Sequence, residues 1–186
     1  DNDGTGEYGV FNELTGATNR RTTNNTYQQP LGVTDLSAAL QATSGSYASK
    51  SGYYFQIYLP GSTAVISDSG QSQAVVLNST NTAAEEAIQQ QENRWICYAW
   101  PAAFRSSGVR AFVTDQSAEV YASSNTNPGN NQGYFYGSNN TNRPNYRTAM
   151  DTTSGITIDT DDWANIGVKD NAIVSDTRHT WLPSGS

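Results

Sequence analysis

Histidine and cysteine occur once each in this 186-residue chain, as His179 and Cys97, and that scarcity removes whole classes of chemistry. A single thiol permits no internal disulfide and no zinc–cysteine cage. A single imidazole excludes any metal centre built on two histidines. A Ser-His-Asp arrangement would have to use His179, and no Gly-x-Ser-x-Gly elbow or comparable nucleophile context accompanies it. His179 stands in "DTRHTWLP" and reads as a surface residue. Cys97 lies in the apolar run "RWICYAW" and reads as a buried, inert thiol.

Cations are few as well. Ten Lys and Arg face seventeen Asp and Glu, for a net charge of -7 and a pI near 4.5. Phosphate binding needs clustered Lys and Arg, and only "NRR" at 19–21 resembles a cluster, so nucleic acid is excluded as a partner. Long apolar runs are missing too: no stretch approaches the ~18–20 residues of a membrane span. The chain opens on Asp1 with no initiator methionine and no signal peptide. Loss of an upstream segment by processing, proteolysis or truncation is the expectation.

What fills the chain is uncharged polarity. Charged residues make up 15%, below the usual quarter, and Asn, Ser, Thr and Gln take their place. Such a surface suits an extracellular or cell-surface protein. Eleven Tyr, five Phe and four Trp supply enough aromatic area to bury that disorder is not expected. The length fits one domain, 1–186, with an acidic Gly-rich loop and short helix at 1–16 and an irregular region at 124–186.

Along the chain, "VFNELTG" at 10–16 predicts a short helical turn ended by Gly16, and Asp35 is placed to cap a short helix in "LSAALQA". "YYFQIYLPG" at 53–61 alternates as a strand with Phe55, Ile57 and Leu59 on one face. "AVVLN" at 74–78 is a weaker strand, and 79–93 is rich in helix formers. "RWICYAWPA" predicts a central strand closing at Pro101. "GVRAFVTDQSAEVYAS" predicts a hairpin with Val109, Ala111 and Val113 on one face and "DQSA" turning. The tail is expected to add an edge strand and a docked aromatic end. Together these predict an α+β fold: a short antiparallel meander burying Phe55, Ile57, Leu59, Cys97, Ala111, Val113 and Val120 against one or two helices. Long Asn/Gly-rich loops cover the rest.

Two acidic stretches are candidate calcium ligands, since calcium takes six to eight oxygens from alternating loop positions. Asp1, Asp3 and Thr5 occupy the first, third and fifth places of such a loop, Gly6 the sixth, and Glu7 follows. The twelfth place, where a bidentate Glu is expected, holds Asn12, with Glu13 one residue late. The second stretch, "DTDDW", supplies Asp159, Asp161 and Asp162, with Asp151 and Asp170 further along the chain. A solvated acidic turn without metal is the alternative for both. Tyr134, Phe135, Tyr136 and Tyr146 are candidates for stacking on sugar rings or for self-association, with packing under a long loop as the alternative. Asn24, Asn78 and Asn139 each begin an Asn-x-Ser/Thr sequon. No carboxylate pair is singled out for glycosidase-type chemistry, and an enzyme is not expected.

"DNDGTGEYGVFNELTG", "SGYYFQIYLPG" and "RWICYAWPAAFRSSGVRAFVTDQSAEVY" resemble segments of type IV pilin-like and type II secretion pseudopilin-like proteins of the planctomycete kind. The resemblance covers roughly the first two-thirds of the chain, by motif order. It implies a leader cleaved by a prepilin peptidase and a long apolar anchor helix, which this chain lacks; contact with a membrane would run only through that helix. It implies assembly with copies of itself, and calcium held by carboxylates in a C-terminal loop comparable to "DTDDW". A secreted glycan-binding module is the alternative function, and a hydrolase with an unrecognised carboxylate pair the third.

Overall fold

Residues 8–18, 35–42, 47–60, 67–68, 90–145, 148 and 181–184 are described by the structure, a computed structural model. Packing divides the chain into two units interleaved in sequence. The first gathers described residues from 8–48, 56–68 and 90–95; the second gathers 49–55, 96–148 and 181–184.

In the first unit, the expected turn of helix is α1, Phe11–Leu14. Glu13 Oε2 accepts the backbone N–H of Val10 at 3.0 Å, satisfying a donor that a helix start leaves open. Gly16 ends the helix at φ 72, a left-handed position that glycine takes without a Cβ penalty. Val10, Phe11 and Leu59 are buried, yet so are Asn12, Glu13, Thr15, Asp68 and Gln91. That polar content is tolerated because it is bonded. Asn12 N–H donates to Asp68 Oδ1 at 3.0 Å, Asn12 Oδ1 accepts from Ala42 N–H at 2.9 Å, and Gln91 Nε2 donates to the Pro60 carbonyl. Asn12 and Glu13, at and just past the twelfth place of the calcium-loop pattern, accept backbone N–H groups with their side chains.

The helix expected in "LSAALQA" is a single 3-10 turn, Ala38–Leu40, and its cap is Ser37, whose Oγ accepts from Ala39 N–H at 3.3 Å, not Asp35. The turn buries none of its residues, so no packing energy extends it against the cost of nucleation. Of the helix expected at 79–93, only the end at Gln90 and Gln91 falls among the described residues. The strand expected at 74–78 lies outside them.

Six strands form one open sheet in sequential order: β1 (Ala48–Lys50), β2 (Tyr53–Tyr58), β3 (Ile96–Pro101), β4 (Ala111–Asp115), β5 (Val120–Ser123) and β6 (Leu182–Pro183). β2 begins in the second unit and ends in the first. Ser51 and Gly52, both at positive φ, make the two-residue turn that joins β1 to β2. From β3 to β6 each neighbour is antiparallel, with Tyr98 opposite Val113 and Val113 opposite Tyr121. The hairpin, the close of β3 at Pro101 and the docked tail match the sequence expectation. The described residues hold one whole α-helix, of a single turn, and the last two residues of another, so sheet dominates among them.

The buried face of the second unit differs from the expected one. Ile96, Tyr98 and Trp100 are fully buried, as are Ala111, Val113 and Tyr121, whereas Cys97 and Phe55 are half-buried and Val120 and Val109 are exposed. Both faces of "ICYAW" are apolar, so alternation alone could not orient it. The side carrying two large rings turned inward because it removes far more area from water than Cys97 and Ala99 would.

Gln56 breaks the pattern. It is 1% exposed, and neither its Nε2 nor its Oε1 has a hydrogen-bond partner. An unpaired buried amide costs about 1–3 kcal/mol per group. Gln56→Met, of similar volume and without that penalty, is expected to raise stability by roughly 1–3 kcal/mol. A denaturant melt with a lower midpoint than the parent would contradict this.

Candidate interaction surface

The region after residue 123, patternless in sequence, is organised by one side chain. Asn125 is fully buried and sits at φ 52, a left-handed conformation that Asn adopts more readily than most residues. Its Nδ2 donates to the Val109 carbonyl at 3.0 Å and the Phe135 carbonyl at 2.8 Å, and its Oδ1 accepts from Phe135 N–H at 2.7 Å. Its carbonyl accepts from Tyr134 N–H. One amide therefore ties the loop after β5 to the loop before β4.

That clamp decides where the candidate aromatics go. Phe135 is drawn inward, 7% exposed, with its ring stacked on Trp181 at 6.3 Å and 20°. Phe135 is packing, not contact surface. Tyr134 and Tyr136, one residue to either side, are half-exposed. Tyr136 Oη donates to Gln132 Oε1 at 3.3 Å, and its N–H donates to the Asn142 carbonyl. Tyr146 lies outside the described residues. Trp181 completes the core: edge-on to Tyr98 at 6.0 Å, with its indole N–H donating to the Thr148 carbonyl at 3.3 Å.

Two loops meet at this end of the strands. Arg105 donates to Asn131 Oδ1 and lies over the Phe104 ring, and that ring covers Gly133 so closely that a Cβ there would overlap it. Trp100 Nε1 donates to the Gly137 carbonyl at 3.0 Å. Asn139, the one sequon asparagine among the described residues, is exposed and accepts from Thr141 N–H.

The outer face of the sheet is the other surface on offer. Register places Ala99, Phe112, Ala122 and Leu182 in one row across β3 to β6, flanked by Cys97, Thr114 and Val120. Val120 is 41% and Leu182 49% exposed, and none of the seven carries an ionised side chain. Tyr53 joins this face through its ring contact with Phe112 at 6.0 Å.

Tyr53 Oη donates to the Arg110 carbonyl at 3.3 Å and packs where a Cβ on Gly108 would clash with it. Burial pushes its phenol above the usual value of 10.0. A raised folded pKa means a stability contribution fully present below pH ~10 and lost as pH rises through the folded value. An ultraviolet titration is expected to show tyrosine ionisation above the usual value, and Tyr53→Phe should remove one such step. Retention of the step in the variant would reassign it.

The first candidate calcium loop, Asp1, Asp3, Thr5 and Glu7, and the second, Asp159, Asp161 and Asp162, lie outside the described residues, as does His179. Among the described residues no group of three or more His, Cys, Asp or Glu could hold a metal ion, and no helix is long and apolar enough to cross a membrane. The residue that sequence reasoning missed is Asn125. Nothing distinguishes Asn125 from its many Asn neighbours except the fold around it. Comparison of the chain with protein-family models, curated proteins and solved structures finds no match.

Proposed function

We propose that this chain is a non-enzymatic structural subunit, pilin- or pseudopilin-like, that assembles with copies of itself outside the cell or at its surface. The observation that carries this reading is the outer sheet face at Ala99, Phe112, Val120 and Leu182, four apolar side chains at least half-exposed in a chain of net charge -7. Copies that each carry -7 repel on average, and this face lets them approach without adding to that repulsion. The sheet edges support contact by faces. β1 is three residues long and ends in Lys50, and β6 is two residues long and ends in Pro183, both devices that blunt strand-to-strand pairing.

Calcium belongs to the proposal through Asp1, Asp3, Thr5, Glu7, Asp159, Asp161 and Asp162, whose oxygens would hold it in two acidic loops. The test is light scattering and electron microscopy of the purified chain, with and without excess chelator, alongside Leu182→Glu. Assembly of Leu182→Glu indistinguishable from the parent's would overturn the apolar face as a contact, and a parent that never assembles would overturn the reading. Assembly and melting unchanged by chelator would remove calcium alone.

A glycan-binding module is the second reading, favoured by half-exposed Tyr134 and Tyr136 among the amides of Gln132, Asn139 and Asn142. Stacking on aromatic faces with amide hydrogen bonds is the chemistry sugars use. Undiminished saccharide binding by Tyr134→Ala would count against it.

A further inference from the structure

Among the described residues of the second unit, charge is sorted by end. They include four cations, Lys50, Arg105, Arg110 and Arg143, and two carboxylates, Asp115 and Glu119. All four cations lie where β1 ends, β3 ends, β4 begins and the loop after β5 runs. Both carboxylates lie at the opposite end, in the turn from β4 to β5. Roughly 14 Å of β4 separates the two groups, taking ~3.4 Å per residue. Lys50, Arg105 and Arg110 are exposed and Arg143 is half-exposed.

This part of the chain therefore stands at +2, while the rest, with six cations and fifteen carboxylates, stands at -9. The cationic end is built, not frayed. Asn125 and the Phe104–Gly133 contact hold its two loops together, and Arg105 is oriented by Asn131 and the Phe104 ring.

Resting on the self-assembly reading above, we infer that Lys50, Arg105, Arg110 and Arg143 form the docking surface for a carboxylate-rich surface of a second copy, joined head to tail. The logic is one of symmetry. A face that meets its own copy closes a two-fold dimer and stops, whereas growth needs two different, complementary patches on each subunit. The cationic end supplies one, and a chain with seventeen carboxylates and a net charge of -7 has the groups for the other. Opposite potentials also select the productive orientation, because like ends repel.

The test uses the whole chain. Arg105→Gln/Arg110→Gln/Arg143→Gln, and a milder Arg110→Gln/Arg143→Gln that keeps Arg105 on Phe104, are compared with the parent by light scattering and electron microscopy. Both variants should keep the parent's melting midpoint and stop at dimers, and the parent's own polymers should dissolve between ~0.1 and ~1 M salt, as the screening length falls from about 10 to 3 Å. Because the variants keep their carboxylates, either one added below stoichiometry should cap the parent's growth and shorten its polymers at least severalfold. Polymers of parental length from the double variant would overturn this docking surface and leave the assembly reading intact. A parent that stays monomeric at low salt would overturn both. Dimers that bind soluble polyglutamate, with no polymer at any salt, would assign the cationic end to a different acidic partner and overturn head-to-tail joining.

Discussion

Trp181→Ala is expected to cost about 3–5 kcal/mol, the range for deleting a fully buried large aromatic side chain. The indole has no exposed surface, touches Tyr98 and Phe135, and gives its N–H to the Thr148 carbonyl. Truncation removes the buried area, two aromatic pairs worth about 0.5–1.5 kcal/mol each, and the donor of a buried hydrogen bond. Trp181→Phe keeps a ring between Tyr98 and Phe135 and loses the N–H, so its cost should fall well below that of alanine. Urea melts of both variants check the order. Equal losses would mean that the hydrogen bond, and not packing, fixes the tail. A loss under about 1 kcal/mol for alanine would contradict the docking of residue 181 altogether.

Asn125→Asp should be as damaging at neutral pH, by about 3–5 kcal/mol, although it changes almost no volume. The amide faces two carbonyls with its Nδ2 and one N–H with its Oδ1. A carboxylate still accepts from Phe135 N–H, but it turns acceptor lone pairs toward the Val109 and Phe135 carbonyls in a site closed to water. The charged form is disfavoured, so the carboxyl's folded pKa rises above its unfolded value near ~3.9. A raised folded pKa means that the variant is most stable below that unfolded value and loses stability as pH climbs through the folded one. Its deficit against the parent should therefore be smaller at pH ~4 than at pH ~7. Asn125→Ala lacks that pH dependence and leaves two carbonyls and one N–H unpaired at every pH. A pH-independent deficit for the aspartate variant would show that water reaches the site.

Much of the sheet was legible beforehand because its signals are local. Alternation and the "DQSA" turn fix β4 and β5, and Pro101 limits β3, each through the preferences of a few consecutive residues. The helix in "LSAALQA" was not legible. Its propensity is adequate, but helix formation draws on burial, and none of the residues of that turn is buried. Tyr134, Phe135 and Tyr136 looked equivalent as letters. Only the Asn125 clamp and the Trp181 ring separate the buried one from its half-exposed neighbours.

By itself, then, the order of residues determined which segments extend, where they turn, and which chemistries are missing for want of histidine and thiol. Tertiary structure decided which face of "ICYAW" went inside, which of many asparagines became a hinge pin, and that Lys50, Arg105, Arg110 and Arg143 gather at one end. The reason is range: strand and turn preferences act over a few residues, whereas burial and charge grouping depend on partners brought together from far along the chain.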